Sequence, residues 1–277
     1  MTSLRILFLL FLGALLAAAP PRRVVSHAVG TDDLLLALAE PGQIAALSAL
    51  GRDARYSPAH REAARFPALS RGEAEDILRF RPDLVVLTSY SPVEVRTLLE
   101  RARVRIFLVE RYETFDDLCA TALALGKALG REAHAQAQVG AWRQRVAELK
   151  RRLAGVTPRR VLSAGVYPFV SGGRTTFQDL CDHAGAINVA AEAGLVGIVP
   201  MPGEKPLRWS LDFLVGPAEP GTDLAARLRE LSPYKFMPAL RQGRLIVIDG
   251  ALLATTSHRR LDTYEALARA LHPERFR

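Results

Sequence analysis

The segment EAEDILRFRPDLVVLT, residues 73–88, places a helix and a strand in direct succession. Residues 73–80 have the composition of a short helix, which must end before Pro82 because the residue ahead of a proline avoids the helical region. Residues 84–88 form an uninterrupted apolar run, as expected of a strand that is buried on both faces. A helix that leads directly into such a strand is typical of an α/β protein with a parallel sheet.

The same alternation continues on both sides of this segment. In the first part of the chain, strands are predicted at residues 23–26, 44–47, 84–88 and 106–109, with helices at 32–39, 73–80 and 93–102. In the last part, strands are predicted at residues 160–164, 213–215 and 245–248, with helices at 176–184, 223–231 and 260–271. Strands that alternate with helices predict parallel sheets. We therefore expect two α/β lobes, at residues 20–112 and 158–277.

The region between the lobes, residues 113–157, is predicted to be helical. A first helix can begin at Thr114, because Asp116 and Asp117 in its first turn suit the helix dipole. Residues 131–153 then carry an apolar stripe at helical spacing, formed by Val139, Trp142, Val146, Leu149 and Leu153. A helix of this length spans about 35 Å, which is more than one lobe needs. The predicted fold class is α/β, with two Rossmann-like lobes joined by a single long backbone helix.

The first 19 residues have the features of a cleaved secretory signal. Arg5 precedes an apolar run at residues 6–19, which ends in three alanines before Pro20. A membrane span needs roughly 20 apolar residues, so an uncleaved anchor is the weaker of two interpretations. No cysteine lies near the expected cleavage position, and we therefore expect a periplasmic protein without a lipid anchor.

Composition excludes several classes of protein. With 49% hydrophobic and 24% charged residues, the chain is neither disordered nor a small disulfide scaffold. The net charge of +8 is spread along the sequence, so no nucleic-acid partner is expected. Cys119 and Cys181 are the two cysteines, and without a CxxC pair a structural zinc site or a redox dithiol has no support.

No familiar catalytic motif is present in the sequence. The chain lacks GxGxxG, GxxxxGK[ST], HExxH and GxSxG, which disfavours dinucleotide enzymes, P-loop proteins, zincins and α/β-hydrolases. A less regular active site would carry none of these motifs. The six histidines are scattered, which favours single polar side chains over a transition-metal site. His27 follows a predicted strand and is the best candidate for a donor to a metal inside a bound chelate.

Aromatic side chains fall just after predicted strands or in loops, rather than in helix stripes. They are Tyr56, Tyr90, Tyr167, Phe169 and Trp209. Ligands of open α/β lobes collect at the carboxyl ends of the strands. Although each ring alone is equally consistent with loop packing, the set predicts a cleft for a large, flat or greasy ligand. Arg174 and Arg259 are predicted to face carboxylates or phosphate on that ligand.

Several segments resemble the periplasmic substrate-binding proteins of ABC importers for cobalamin, haem and iron–siderophore complexes. The most specific is 75–86, where EDIL and then RPDLVV are similar to the signature E-x-I-L-x-L-x-P-D-L-V. Residues 23–38 are similar to the opening strand and helix of the family, with Asp32 where Glu is usual. Residues 167–173 and 180–188 resemble a turn and a helix of the second lobe. The resemblance covers residues 23–277.

The resemblance implies a class III periplasmic binding protein of the helical-backbone metal-receptor type. Such a protein is not an enzyme and needs no cofactor. It captures an iron or cobalt chelate between its lobes and delivers it to a membrane permease. Because one stiff helix joins the lobes, we also expect a monomer. Glu75 matches the first-lobe acid that pairs with a permease arginine. In the second lobe a helix is shortened or missing, so Asp212 stands either for the second docking acid or for the aspartate that opens a strand. A free-metal receptor of related fold and a secreted α/β hydrolase or transferase are the alternative functions.

Overall fold

The computed structural model describes residues 19–277. The predicted signal peptide, residues 1–19, lies outside the described residues except for its last residue. Within residues 19–277, no helix is long and apolar enough to cross a membrane.

The first lobe is a parallel sheet in the order β2-β1-β3-β4. Its strands are β1 (Val24–Ser26), β2 (Ile44–Ala46), β3 (Leu84–Thr88) and β4 (Ile106–Val109). Its helices are α1 (Val29–Leu38), α2 (His60–Ala63), α3 (Ala74–Leu78) and α4 (Val93–Arg101). Every residue of β3 is buried, as the apolar run predicts. Helix α1 begins three residues before the predicted position, because Thr31 closes its first turn by donating to the carbonyl of Ala28.

Two helices follow the first sheet and pack against each other. Helix α5 (Phe115–Leu129) begins with a capping box, in which Thr114 and Asp117 each bond the backbone N–H of the other. It ends at Gly130, whose φ of +73° is a left-handed conformation that favours glycine. Helix α6 (Glu132–Arg152) then extends for about 30 Å. Four of the five predicted stripe residues are buried, and Val146 is half-buried.

The second lobe repeats the parallel arrangement in the order β10-β9-β5-β7, beside an antiparallel β6-β8 pair. Its strands are β5 (Arg159–Ser163), β6 (Phe169–Ser171), β7 (Ala186–Asn188), β8 (Ile198–Pro200), β9 (Phe213–Ala218) and β10 (Leu245–Asp249). Its helices are α7 (Thr176–Ala184), α8 (Val189–Glu192), α9 (Leu224–Glu230), α10 (Pro238–Arg241), α11 (Gly250–Leu253) and α12 (Arg260–Leu271). A short 3₁₀ turn, Lys205–Arg208, stands where the resemblance implies a longer helix.

One hydrophobic cluster runs through both lobes by way of the linking helices. It joins Leu84 of the first sheet, Leu125 and Trp142 of α5 and α6, and Val161 of the second sheet. Helix α6 packs against α1 in the first lobe and against α7 and α12 in the second. The lobes are therefore connected by a shared core as well as by the chain itself. We propose that the chain divides into a first lobe (20–112), a linking segment (113–157) and a second lobe (158–277). The shared core passes through all three parts.

A buried polar network reinforces the junction at the start of α5. The Asp179 carboxylate accepts from the Phe115 N–H at 2.9 Å, from Arg260 Nη1 at 3.2 Å and from the Tyr264 hydroxyl. Arg260 also donates to the carbonyls of Tyr112 and Glu113, which precede α5. Since Asp179 and Arg260 are almost fully buried, this network ties the second lobe directly to the linking segment.

Candidate functional site

A cavity of about 370 Å³ lies at the carboxyl ends of the first-lobe strands. His27 follows β1, Ser48 follows β2, and Tyr90 and Ser91 follow β3. The carboxyl ends of parallel strands share one edge of the sheet, and this is where ligands of open α/β structures bind. Arg71 and Tyr56 come from the loops on either side of α2.

A second cavity, of about 490 Å³, lies on the side of the second lobe. Ser163 at the end of β5, Tyr167 and Phe169 form part of its wall, and Tyr90 reaches it from the first lobe. Three residues line both cavities, namely Tyr90, Ala254 and Thr256. The two spaces are therefore halves of one cleft between the lobes, and each has the size of a small-molecule site, about 300–1,000 Å³.

The floor of the cleft is a close contact between the lobes. Residues 254–256, which follow α11, lie against the beginning of α1 at Gly30. A Cβ on Gly30 would collide with the hydroxyl of Thr256, so the approach requires glycine at this position. The next residue, Ser257, donates to the buried carboxylate of Asp33 at 2.7 Å.

The four predicted tyrosine and phenylalanine residues lie in the cleft with their rings accessible. The exposed fractions are 48% for Tyr56, 52% for Tyr90, 73% for Tyr167 and 49% for Phe169. Tyr90 makes an edge-to-face contact with Tyr112 at 5.5 Å between ring centroids. Aromatic rings that line a concave site and are not covered by protein have faces free for stacking on a ligand.

The other three predicted ligand-binding residues line neither cavity. Trp209 packs, partly buried, against the core of the second lobe because it closes the 3₁₀ turn beside that core. Arg174 is exposed and lines neither cavity. Arg259 is held between two carboxylates, with Nε at 3.3 Å from Asp33 and Nη2 at 2.9 Å from Glu62.

His27 lines the first cavity, and both of its ring nitrogens are engaged. Nε2 lies 2.9 Å from the carbonyl oxygen of Gly72, so it must carry the proton. Nδ1 then accepts from the hydroxyl of Ser91 at 3.0 Å. Burial lowers the pKa of His27, against the opposing effect of the Gly72 carbonyl. The neutral ring therefore joins the ends of β1 and β3 to the turn at Gly72 and keeps no free lone pair for a metal.

Asp32, the residue that the resemblance aligns with a usual glutamate, lies behind the cavity wall. It accepts from the Ser48 N–H at 2.9 Å and from the Ser48 hydroxyl at 2.6 Å. Burial raises the pKa of the Asp32 carboxyl to about 7, against the opposing hydrogen bonds from Ser26 and Ser48. Gly51 packs so closely on this carboxylate that a Cβ there would collide with it. Asp32 thereby fixes the loop that follows β2, which lines the cavity.

The lining of the cleft carries little charge. Among the described residues that line the two cavities, Arg71 carries the one permanent charge, and neither Asp nor Glu contributes. Across residues 19–277, no three His, Cys, Asp or Glu side chains come together as a group that could hold a metal ion. Sequence reasoning missed Arg71, Ser91, Tyr112 and Thr256. Ser91 and Tyr112 lie three residues after the ends of β3 and β4. A position just after a strand is the same signal that pointed to Tyr90 and His27, so it could have identified them.

The two predicted docking acids differ in their surroundings. Glu75 is exposed on α3, and its carboxylate makes no hydrogen bond or ion pair within residues 19–277. Asp212 is half-buried, and its carboxylate accepts from the Arg160 N–H at 2.8 Å while its own N–H donates to the Arg160 carbonyl. Asp83 bonds Arg23 in the same way at the start of β3. Asp212 is therefore the aspartate that opens β9, the second of the two roles left open by the sequence.

Two parallel α/β lobes, a single long helix between them and a cleft at the carboxyl ends of the strands together define a class III solute-binding protein. The family comparison agrees with this geometry. The chain belongs to the periplasmic binding protein family, whose model matches residues 24–252. Family membership implies a periplasmic location and a solute-binding role.

Solved structures share this fold. A periplasmic heme binding protein from Pseudomonas aeruginosa is 24% identical with a TM-score of 0.78, and the match covers 91% of this chain and 93% of that one. The periplasmic vitamin B12 binding protein of Vibrio cholerae is 16% identical with a TM-score of 0.72, covering 93% and 99%. The molybdate periplasmic binding protein of Haemophilus influenzae is 18% identical with a TM-score of 0.76, covering 94% and 88%. No curated protein matches the chain by sequence.

Proposed function

We propose that this protein is the substrate-binding component of an ABC importer. It captures an iron or cobalt chelate, such as haem, cobalamin or a ferric siderophore, between its two lobes and delivers it to the membrane permease. The observation that carries this proposal is the lining of the cleft, which combines accessible aromatic rings from both lobes with one arginine and no carboxylate.

The lining suits a ligand with broad apolar faces and an acidic edge. Tyr56 and Tyr90 on one side, with Tyr167 and Phe169 on the other, offer ring faces across the cleft. Each aromatic contact contributes about 0.5–1.5 kcal/mol beyond the area that it buries. Arg71 can pair bidentately with a carboxylate of the ligand. A lining without Asp or Glu imposes no repulsion on such a group.

The cleft also limits how the protein can contact a chelated metal. Both nitrogens of His27 are engaged, which argues against its predicted role as a donor to the metal. Tyr56 and Tyr90 also line the first cavity, and each carries a phenol oxygen that can bind a metal. Phenolate is an established axial ligand of haem iron. We therefore propose an oxygen donor where the sequence suggested a nitrogen donor.

Titration of the protein with haem, cobalamin and a ferric siderophore tests this function, with molybdate included because a protein of similar fold is named for binding it. We expect saturable binding of one chelate, seen as a change in its visible spectrum, and no turnover of esters, glycosides or phosphates. Weaker binding by Tyr90→Ala, with unchanged binding by Phe236→Ala, would place the ligand in the cleft. Phe236 is a matched control because it is a similarly exposed ring outside both cavities. Binding of molybdate alone, or turnover, would overturn the proposal.

Docking on the permease is the second part of the proposed function. Glu75 precedes Asp83 by eight residues, and Glu204 precedes Asp212 by the same eight. Asp83 opens β3 and Asp212 opens β9, and these two strands hold the same position in their sheets. Glu75 and Glu204 therefore occupy corresponding places in the two lobes. Both carboxylates are exposed, and neither has an ion-pair partner within residues 19–277. We propose that Glu75 and Glu204, rather than Asp212, pair with arginines of the permease.

A further inference from the structure

Cationic side chains gather at the amino ends of the first-lobe strands, opposite the cleft. Arg22 precedes β1, Arg79 and Arg81 precede β3, and Arg101 and Arg103 precede β4. Lys127, in the last turn of α5, reaches the same end, because Arg105 bonds the carbonyl of the adjacent Ala128. We call these six residues, Arg22, Arg79, Arg81, Arg101, Arg103 and Lys127, the cationic pole.

Hydrogen bonds between neighbouring segments show that the pole is one surface. Arg23 donates to the carbonyls of Phe80 and Arg81, which places the start of β1 beside the end of α3. The Val85 N–H donates to the carbonyl of Arg105 at 2.9 Å, which places the start of β4 beside that of β3. Charges that are scattered along the sequence are thus neighbours in space.

The pole has few anionic neighbours. Within residues 19–277, its six side chains are exposed and make neither hydrogen bonds nor ion pairs. Glu40 is paired with Arg131 and Glu100 with Arg96, while the Asp83 carboxylate accepts the backbone N–H groups of Arg22 and Arg23. Of the acids at this end, Glu132 alone has no partner among the described residues.

Backbone conformation adds a second, independent observation. Arg81 has a φ of +45° and Arg103 a φ of +58°, both in the left-handed region that favours glycine. A residue with a side chain pays a conformational penalty there of about 1–2 kcal/mol. Glycine occupies the corresponding place after α5 and α7, at Gly130 and Gly185. At the pole, arginine is present where glycine would be the more stable choice.

Helix dipoles explain only part of this accumulation. The carboxyl ends of α3, α4 and α5 all point to the pole, and a cation in the last turn of a helix is favourable. One cation at each of these carboxyl ends is enough for that effect, which falls off beyond the last turn. Arg81 and Arg103 lie beyond it, in the left-handed turns. Helix dipoles therefore do not account for the charges of Arg81 and Arg103.

We propose that the cationic pole binds the anionic phospholipid surface of a membrane. Several unpaired cations on one exposed face attract such a surface, and their attraction is strongest at low ionic strength. The cleft lies at the opposite end of the sheet and stays open to ligand while the pole is occupied. Contact through the pole therefore concentrates the protein at the membrane without closing its binding site.

Co-sedimentation with vesicles tests the proposal. We expect binding to vesicles of phosphatidylglycerol and phosphatidylcholine at about 0.1 M salt, and its loss near 1 M, where the screening length falls from about 10 Å to about 3 Å. Vesicles of phosphatidylcholine alone should not bind. One cation near an anionic bilayer contributes about fivefold to partitioning, so Arg81→Gly with Arg103→Gly should weaken binding about 25-fold.

The same double variant separates function from folding. Glycine adopts the left-handed conformation without strain, so the melting temperature should stay the same or rise while vesicle binding falls. Arg174→Gly is a matched control, because Arg174 has a φ of +57° and is exposed in the second lobe. It should leave vesicle binding unchanged. Arg79→Gln with Arg101→Gln tests the pole at ordinary helix-end positions and should weaken binding like the glycine pair.

Three results would overturn the proposal. The first is equal binding to neutral and anionic vesicles. The second is a loss in Arg174→Gly as large as that caused by Arg81→Gly or Arg103→Gly alone, which would mean that net charge alone matters. The third is preferential binding of duplex DNA over anionic vesicles at the same salt concentration, which would assign the pole to a different partner.

Discussion

Arg259 Nε lies 3.3 Å from the carboxylate of Asp33, across the junction between the two lobes. Asp33 is fully buried in α1, and Arg259 stands at the start of α12. Ser257 bonds the same carboxylate at 2.7 Å, directly behind the floor of the cleft. The arginine that the sequence suggested as a ligand contact therefore joins the lobes.

Removing this arginine should destabilise the protein. Arg259→Gln leaves a buried carboxylate with one hydroxyl donor, and we expect the free energy of unfolding to fall by about 2–4 kcal/mol. Chemical denaturation measures the change. Arg96→Gln is the control, because Arg96 and Glu100 form an exposed pair that should contribute at most about 1 kcal/mol. Equal losses in the two variants would contradict a special role for the junction.

The Asp32 carboxyl should make the folded protein less stable as the pH rises from about 4 to about 7. Burial raises the pKa of Asp32 to about 7, whereas the unfolded carboxyl has its ordinary value of 3.8. Between these values the unfolded chain has already lost its proton and the folded chain has not, so rising pH favours unfolding. Asp32→Asn keeps an oxygen for Ser48 and removes the titration. We expect the variant to be about 2–4 kcal/mol more stable than the parent at pH above 7.

Thermal unfolding between pH 4 and pH 8 measures this dependence. Asp116→Asn serves as a control, since Asp116 is an exposed carboxylate on α5. The slope of stability against pH is compared among the parent, the Asp32→Asn variant and this control. An Asp32→Asn variant with the same slope as the parent would show that the buried carboxyl is already ionised at low pH.

Tyr90→Ala should weaken ligand binding with little effect on folding. Tyr90 is half-exposed, lines both cavities and contacts Tyr112 by an edge-to-face pair. Loss of its ring face should lower affinity by about 2- to 13-fold, equivalent to about 0.5–1.5 kcal/mol. Calorimetric titration and a melting curve of the same sample separate the two effects. A lower melting temperature at unchanged affinity would assign Tyr90 to the core.

Glu75→Ala and Glu204→Ala should each reduce complex formation with the permease while leaving chelate affinity intact. Loss of a docking acid leaves its partner arginine unpaired, which should weaken association by about 2–5 kcal/mol. Asp212→Ala is the informative contrast. It removes the acceptor of the Arg160 N–H, so it should lower the free energy of unfolding by about 1–3 kcal/mol and leave docking of the folded protein unchanged. Normal uptake in cells with the Glu75 variant would remove the docking assignment.

Ligand binding should change the overall dimensions little, and the protein should be a monomer. Helix α6 is continuous between the lobes, and the Asp179–Arg260 network fixes the second lobe to the start of α5. Small-angle scattering with and without the chelate should give the same radius of gyration within error. A marked compaction on binding, or a mass of two chains, would contradict a stiff monomer.

Much of the fold was predictable because it rests on local patterns. Residues 84–88 are a buried strand because no polar side chain interrupts them, and α6 is amphipathic because its apolar residues recur every three or four positions. Helices α7 and α12 begin and end at the predicted residues. Strands β1 and β2 have three residues each and were predicted, whereas β6, β7 and β8 have the same length and were not. The last three lie next to glycine or proline, which interrupts the apolar pattern of a strand.

The candidate site was predictable in kind, since the carboxyl ends of parallel strands carry the cleft wherever such sheets occur. The sequence by itself therefore determined two α/β lobes, a connecting helix and aromatic residues at the cleft. Tertiary structure alone decided that Arg259 meets Asp33, that Asp212 opens β9 and that scattered arginines form one pole. The reason is distance along the chain. Asp33 and Arg259 are 226 positions apart, and no local periodicity reports which side chains the folded lobes bring together.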